Sequence, residues 1–266
     1  MNMKFRYGFY INGSLIQFAA AFNSSPEYYS LLRAALQVKR CNVPLQRVGK
    51  SHDGGYLMVP PKTGGIAYSF GISDDVSWDA AMADYGYQIY MYDHTIETLP
   101  AQRAEFHFFR EGIASNPTDL PPLYPLAHAL EVNQHTDQQN MILKMDVEGA
   151  EWGFLMYTPS AILSQFDQIV IEFHDLVKPH SRERSSQMLY CLQKMQETHE
   201  LVHLHANNFG CMVEMDGHIY GDVLEATYVR KELISTEADR ELSLSHALDE
   251  PNNPDMPEIR LGQWNS

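Results

Sequence analysis

The run Asn140-Met141-Ile142-Leu143-Lys144-Met145-Asp146-Val147-Glu148-Gly149-Ala150-Glu151-Trp152 constrains the fold more than any other part of the chain. A short apolar stretch breaks into an acidic, glycine-containing turn and then resumes with helical spacing, the pattern of a buried parallel strand handing over to a helix. Asp146 then stands at the carboxyl end of a strand, the edge of an open α/β sheet where ligands bind. Glu148 and Glu151 read as residues that complement the dipole of the following helix. Asp146 ends the strand itself and reads as functional.

The same strand, turn and helix order occurs earlier. Ile66 to Gly71 is a strand ending in glycine, and Ser73 is placed to cap a helix with Asp74 and Asp75 in its first turn and Val76, Ala80 and Ala83 on its buried face. A dinucleotide pyrophosphate calls for GxGxxG and free amides at a helix N-terminus. Here one glycine is followed by two aspartates, which repel an anion and suit a cationic cosubstrate such as S-adenosylmethionine better than NAD. Tyr87 to Tyr92 forms a second strand ending at Asp93, 22 residues after Gly71, where an acid can accept hydrogen bonds from a ribose diol. The alternative for Asp93 is to cap the next segment with Thr95.

Phe106 to Phe109 gives a third strand, and a proline-rich loop leads to a helix carrying Leu126, Leu130 and Val132. Gln165 to Asp175 is a fifth strand, in which alternation puts Glu172 and His174 on one face, within reach of Asp146 if the two strands are neighbours. Met188 to Met195 is an amphipathic helix. A strand from Glu200 to Ala206, the turn residues Asn207 and Asn208, the Asp216-Gly217 turn and a closing strand from Val223 to Val229 imply an antiparallel sheet edge.

Length and charge narrow the function. A chain of 266 residues with a formal charge of −15 is most simply one domain with short appendages. Its charge opposes nucleic-acid binding, which requires clustered Lys and Arg. The partner expected is small and neutral or cationic. Cys41, Cys191 and Cys211 are odd in number and widely spaced, so a reducing, cytoplasmic setting is the default. The segment from Phe9 to Phe22 is too short and polar to span a bilayer; a strand or helix is expected there, with a poor signal sequence as the alternative. Residues 1–44 read as a helical extension, its helix opened by Ser25-Pro26-Glu27, with Tyr28, Leu31, Leu32, Ala35 and Leu36 on one face up to Lys39 and Arg40. Residues 45–234 read as the main domain and 235–266 as an acidic, peripheral, loose tail.

Asp53-Gly54-Gly55-Tyr56, Tyr68-Ser69-Phe70-Gly71-Ile72, Tyr92-Asp93-His94-Thr95-Ile96, the Lys144-to-Glu151 run and Ile171-Glu172-Phe173-His174 together resemble the FkbM-type and related class I S-adenosylmethionine-dependent methyltransferases over residues 45–231. The resemblance implies a Rossmann-like α/β fold: a seven-stranded, mostly parallel sheet with an antiparallel last strand and helices on both faces. It also implies O-methylation of a small molecule, often a sugar or glycan hydroxyl. It places the cosubstrate against Asp53, Gly54, Phe70, Gly71, Ser73, Asp93, His94, Gly112 and Ile113. The departure from the family pattern is Ser73-Asp74-Asp75 where further glycines are expected.

A sulfonium is already a good leaving group, so the protein must align the reactants and remove the acceptor's proton. Asp146, Glu172 and His174 offer a ligand set for Mg²⁺ or Mn²⁺, which would acidify a hydroxyl. Alternatively His174 or His205 acts as base, oriented by a carboxylate. Either histidine can equally be a hydrogen-bonded strand-end residue. Asn207 and Asn208 read as turn residues or as cleft lining, and Trp78 and Trp152 as core or as sugar-stacking surfaces. Two other classes stay open: an NAD oxidoreductase or nucleotide-sugar glycosyltransferase on a related fold, and a non-catalytic domain. The acceptor and the oligomeric state are not written in the sequence.

Overall fold

The structure, a computed structural model, describes residues 6–11, 14–18, 26–178, 181–237 and 243–264. Its centre is a seven-stranded sheet of β1 (Gly65–Phe70), β2 (Tyr87–Tyr92), β3 (Phe106–Phe109), β4 (Met141–Met145), β5 (Phe166–Phe173), β6 (His199–Ala206) and β7 (Leu224–Arg230). The spatial order is β3-β2-β1-β4-β5-β7-β6. The first five strands run parallel, and β7 is antiparallel to both β5 and β6. All five residues of β4 and all eight of β5 are buried, as expected of central strands covered on both faces, and this explains their largely apolar character; the polar exceptions are Lys144 in β4 and Asp167, Gln168 and Glu172 in β5.

Alternation along the strands splits the interior into two layers. Tyr68, Phe70, Leu143, Met145, Ile169 and Ile171 face a large core shared with the helices Pro26–Ala35 (α1), Leu126–Val132 (α3), Glu151–Tyr157 (α4) and Arg182–Thr198 (α5). Ala67, Ile89, Ile142 and Val170 face a smaller core closed by the helix Ser77–Asp84 (α2) and the hairpin Gln46–Val48/Tyr56–Met58. That hairpin lies beside the strand ends, and its tip, residues 49–55, reaches the carboxyl edge of the sheet.

The two ends of the chain depart from the sequence reading. In the N-terminal extension, Arg6–Ile11 and Ser14–Phe18 form an antiparallel hairpin that pairs with Met212–Met215. Of the strand or helix expected around Phe9 it is strand, so the extension is not wholly helical, and α1 stops at Ala35. Leu31, expected on the buried face of α1, is 46% exposed. The expected cap Ser25 lies outside the described residues. Residues 243–264 are not loose. Leu244, Ile259, Leu261 and Trp264 are buried, and the Asn208 amide donates to the carbonyls of Asn253 (2.9 Å) and Met256 (3.1 Å) while its oxygen accepts from the Asn253 N–H at 2.7 Å. An irregular segment with four apolar anchors packs without any periodicity that a sequence would display.

Candidate active site

The carboxyl edge of the sheet opens into a cleft of about 440 Å³. Its floor is the turn after β1. Gly71 has φ +79°, and a Cβ there would lie 1.6 Å from the carbonyl oxygen of Asp146, so only glycine lets β1 and β4 end side by side. Gly54 makes room in the same way: a Cβ would fall 1.8 Å from Oδ2 of Asp75. At the far end Gly112 leaves space for the His94 ring, whose Nδ1 would be 2.4 Å from an added Cβ.

Of the nine residues the resemblance assigns to the cosubstrate, eight border this cleft. Phe70 does not. It is buried and stacked on Tyr92 with ring centroids 4.9 Å apart, because strand alternation turns it into the larger core. Ser73 lies in the cleft wall with φ +50°, but it is not the helix cap. The α2 helix starts at Ser77, and Asp75 accepts from the Ser77 N–H and hydroxyl.

Asp93 does two jobs in the fold. Its Oδ2 accepts from the N–H groups of Ile72 and Ser73, both at 2.9 Å, and Oδ1 accepts from the N–H (2.8 Å) and hydroxyl (2.6 Å) of Thr95. The carboxylate thus clasps the glycine turn to the end of β2, and the Thr95 pairing considered in the sequence is present. Burial opposes its ionisation, yet the hydrogen bonds outweigh burial and its pKa is lowered.

At the opposite side of the cleft a row of polar side chains crosses four strands. Met145 pairs with Ile171, Glu172 with Glu225, and Glu225 with His205. Asp146, Glu172, Glu225 and His205 therefore follow one line across β4, β5, β7 and β6, with neighbouring strands about 4.8 Å apart. Asn207 donates to Glu172 at 2.6 Å, and Asn252, from the C-terminal segment, donates to Glu225 at 2.6 Å and Asp53 at 3.2 Å. Asn207 is therefore more than a turn residue. Burial, then the charges of Asp146 and Glu225, raise the pKa of Glu172 well above the carboxylate range.

His174 does not share a face with Glu172. β5 stops at Phe173, and the chain turns so that the His174 ring lies 3.9 Å from Asp146, 3.5 Å from Glu148 and 3.4 Å from Glu151. Burial works against its charge, but Glu151, Asp146 and Glu148 prevail and push its pKa up to about 9. Glu151 is fully buried and not a surface cap. Its two oxygens accept from the backbone N–H groups of His174 (2.6 Å) and Gly149 (2.8 Å), locking the acidic turn to the end of β5. Of the metal set expected from the sequence, Asp146 and His174 come together, with Glu148 in place of Glu172; one ligand atom from each lies within 4.8 Å of the others.

His205 lies outside the cleft, on edge strand β6, held between Glu225 (2.9 Å) and Glu258 (2.8 Å). Burial opposes its protonation, yet the two carboxylates raise its pKa to about 10. A protonated imidazole has no free lone pair, so His205 is not a general base at neutral pH. Because this folded-state pKa exceeds the unfolded value of about 6.5, the pairing stabilises fully below that value and is lost as pH rises through about 10. His205→Gln is expected to lower the thermal midpoint at about pH 6 and to approach the parent above about pH 10; melting curves across that range check this.

Sequence reasoning left Tyr56, Asp79, Lys144, Glu225 and Asn252 without a site role. Tyr56, Asp79 and Lys144 border the cleft, and the Lys144 ammonium donates to the Gly71 carbonyl at 2.6 Å. The signals available were the place of Tyr56 and Lys144 in the stretches that carry the resemblance and the presence of a lysine inside a mostly apolar strand.

No protein family and no curated protein matches the chain by sequence. Among solved structures, one titled "Putative hemolysin from Streptococcus thermophilus" has a TM-score of 0.35 and 13% identity, covering 82% of this chain and 71% of that one. A mutant 16S rRNA (adenine(1408)-N(1))-methyltransferase from Catenulisporales acidiphilia has a TM-score of 0.32 and 9% identity, covering 84% and 97%. Likenesses this slight carry no argument about what the chain does, and the functional reading rests on the site.

Proposed function

We propose that the protein is an S-adenosylmethionine-dependent methyltransferase of the class I, FkbM-like kind, acting on a hydroxyl of a small molecule or sugar. The observation that carries the reading is the meeting of the Gly71 turn, Asp93 and Asp146 in one cleft at the carboxyl edge of a sheet ordered β3-β2-β1-β4-β5-β7-β6. Asp74 and Asp75 add negative charge to the turn, which favours a sulfonium and ammonium over a pyrophosphate. The ribose would lie near Asp93, the adenine toward His94, Gly112 and Ile113, and the methionine end between Gly71 and Asp146.

In this reading Asp146 is the general base. His174, protonated at neutral pH, cannot take the acceptor's proton; it fixes the orientation of the acidic turn and balances part of its charge. A divalent cation, if part of the enzyme, would be held by Asp146, Glu148 and His174, the imidazole giving up its proton to bind it; these oxygen and nitrogen donors suit Mg²⁺ or Mn²⁺, and the ion would polarise the acceptor hydroxyl. All three cysteines are free, which suits a reducing, cytoplasmic setting, and no helix among the described residues is long and apolar enough to cross a membrane.

Calorimetric titration tests the reading. S-adenosylmethionine and S-adenosylhomocysteine are expected to bind with dissociation constants about 100-fold or more below that of NAD. Equal binding of NAD, or no binding of the two sulfur compounds, overturns it.

A further inference from the structure

The charge in the cleft exceeds what the methyl donor brings. Seven carboxylate side chains border it against one lysine, Lys144, whose ammonium is turned to the Gly71 carbonyl. Lys50, at 3.4 Å, pairs with Asp75. S-adenosylmethionine carries one net positive charge, so a strong negative excess remains when it is bound.

That excess is concentrated on the side away from Asp93. Asp53 and Asp146 border the cleft there, and the buried Glu172 and Glu225 stand behind them. The four are answered by the neutral amides of Asn207 and Asn252, by the His205 imidazolium on Glu225 and by the His174 imidazolium 3.9 Å from Asp146. Among them lies Tyr56, 3% exposed, which borders the cleft and whose hydroxyl lies in the field of Asp53, Asp146 and Glu225, with Glu172 held toward its neutral form beside it. It makes no side-chain hydrogen bond among the described residues. The spacing does not suit a bare metal ion: among the described residues the one acidic group tight enough for that is Asp146, Glu148 and His174. A wider organic cation with several N–H donors does fit, and an aromatic ring beside it adds attraction.

Resting on the methyltransferase reading above, we propose that the acceptor is an amine-bearing small molecule whose ammonium docks between Asp53 and Asp146 against Tyr56, and that phosphorylated acceptors are excluded. The ammonium is an anchor; the hydroxyl that receives the methyl group is a separate atom of the same molecule. Asn252 keeps Asp53 and Glu225 facing the anchor.

Ligand-observed NMR on protein saturated with S-adenosylhomocysteine tests this with glucosamine, glucose and glucose 6-phosphate. Glucosamine is expected to bind about tenfold or more tightly than glucose, and glucose 6-phosphate more weakly than either. Asp53→Asn, and Glu225→Gln behind it, are each expected to reduce the preference for glucosamine about threefold to tenfold. Equal binding of glucosamine and glucose, detectable binding of neither, or a preference unchanged by both substitutions overturns the inference. If S-adenosylhomocysteine itself does not bind, the methyltransferase reading fails instead, and the same titration on the unloaded protein decides the ammonium site by itself.

Discussion

Asp146→Asn is expected to lower methyl transfer by about 10²- to 10⁴-fold while donor binding stays within about threefold of the parent. The substitution keeps the shape and the hydrogen-bonding oxygen of the side chain but removes its basicity. Asp146 is the one carboxylate that joins the row across the sheet to the cleft at the end of β4: Glu172 behind it is buried and held toward its neutral form, and His174 beside it is already protonated at neutral pH. Neither neighbour can replace it as base. Calorimetry with S-adenosylhomocysteine together with single-turnover transfer separates the two effects. Turnover in the asparagine variant within about tenfold of the parent would remove Asp146 from the proposed chemistry.

Gly71→Ala is expected to be the most damaging added methyl group among the described glycines. Its φ of +79° is one penalty, and the larger one is that the new Cβ meets backbone, 1.6 Å from the Asp146 carbonyl oxygen. The Asp146 N–H is itself tied to the Phe70 carbonyl at 2.9 Å, so relief requires the ends of β1 and β4 to separate. A loss of about 3 kcal/mol or more follows, which for a chain this size is a fall of about 6–12 °C in the melting midpoint. Gly217→Ala is the control. Gly217 has φ +80° but nothing within 4 Å of an added Cβ, so it should cost only about 1 kcal/mol. Similar losses in the two variants would show that backbone strain, and not the clash at the strand ends, sets the cost.

The sequence by itself determined the strands and the residues that end them. Buried parallel strands must be largely apolar and must stop where the chain meets ligand or solvent, so β1, β2, β4 and β5 are legible as mostly apolar runs ended by Gly71, Asp93, Asp146 and the Glu172–Asp175 stretch. The acidic character of the turn after β1 was legible directly from Asp74 and Asp75 beside a lone glycine. Those signals are local, and local signals depend only on neighbours along the chain.

What the tertiary structure alone decided is which polar groups meet. Glu172 and His174 are two residues apart, yet the turn after Phe173 sends one toward Asn207 and the other toward Glu151. Glu151 looks in sequence like any acid in a first helical turn, and only burial against the backbone of residues 149 and 174 makes it a latch. His205 resembled a base until register placed it between two carboxylates, one of them 53 residues away. Asn252 reaches Asp53 across 199 residues. Such contacts depend on strand order and on where an aperiodic C-terminal segment packs, and neither leaves a repeating trace in the order of the amino acids.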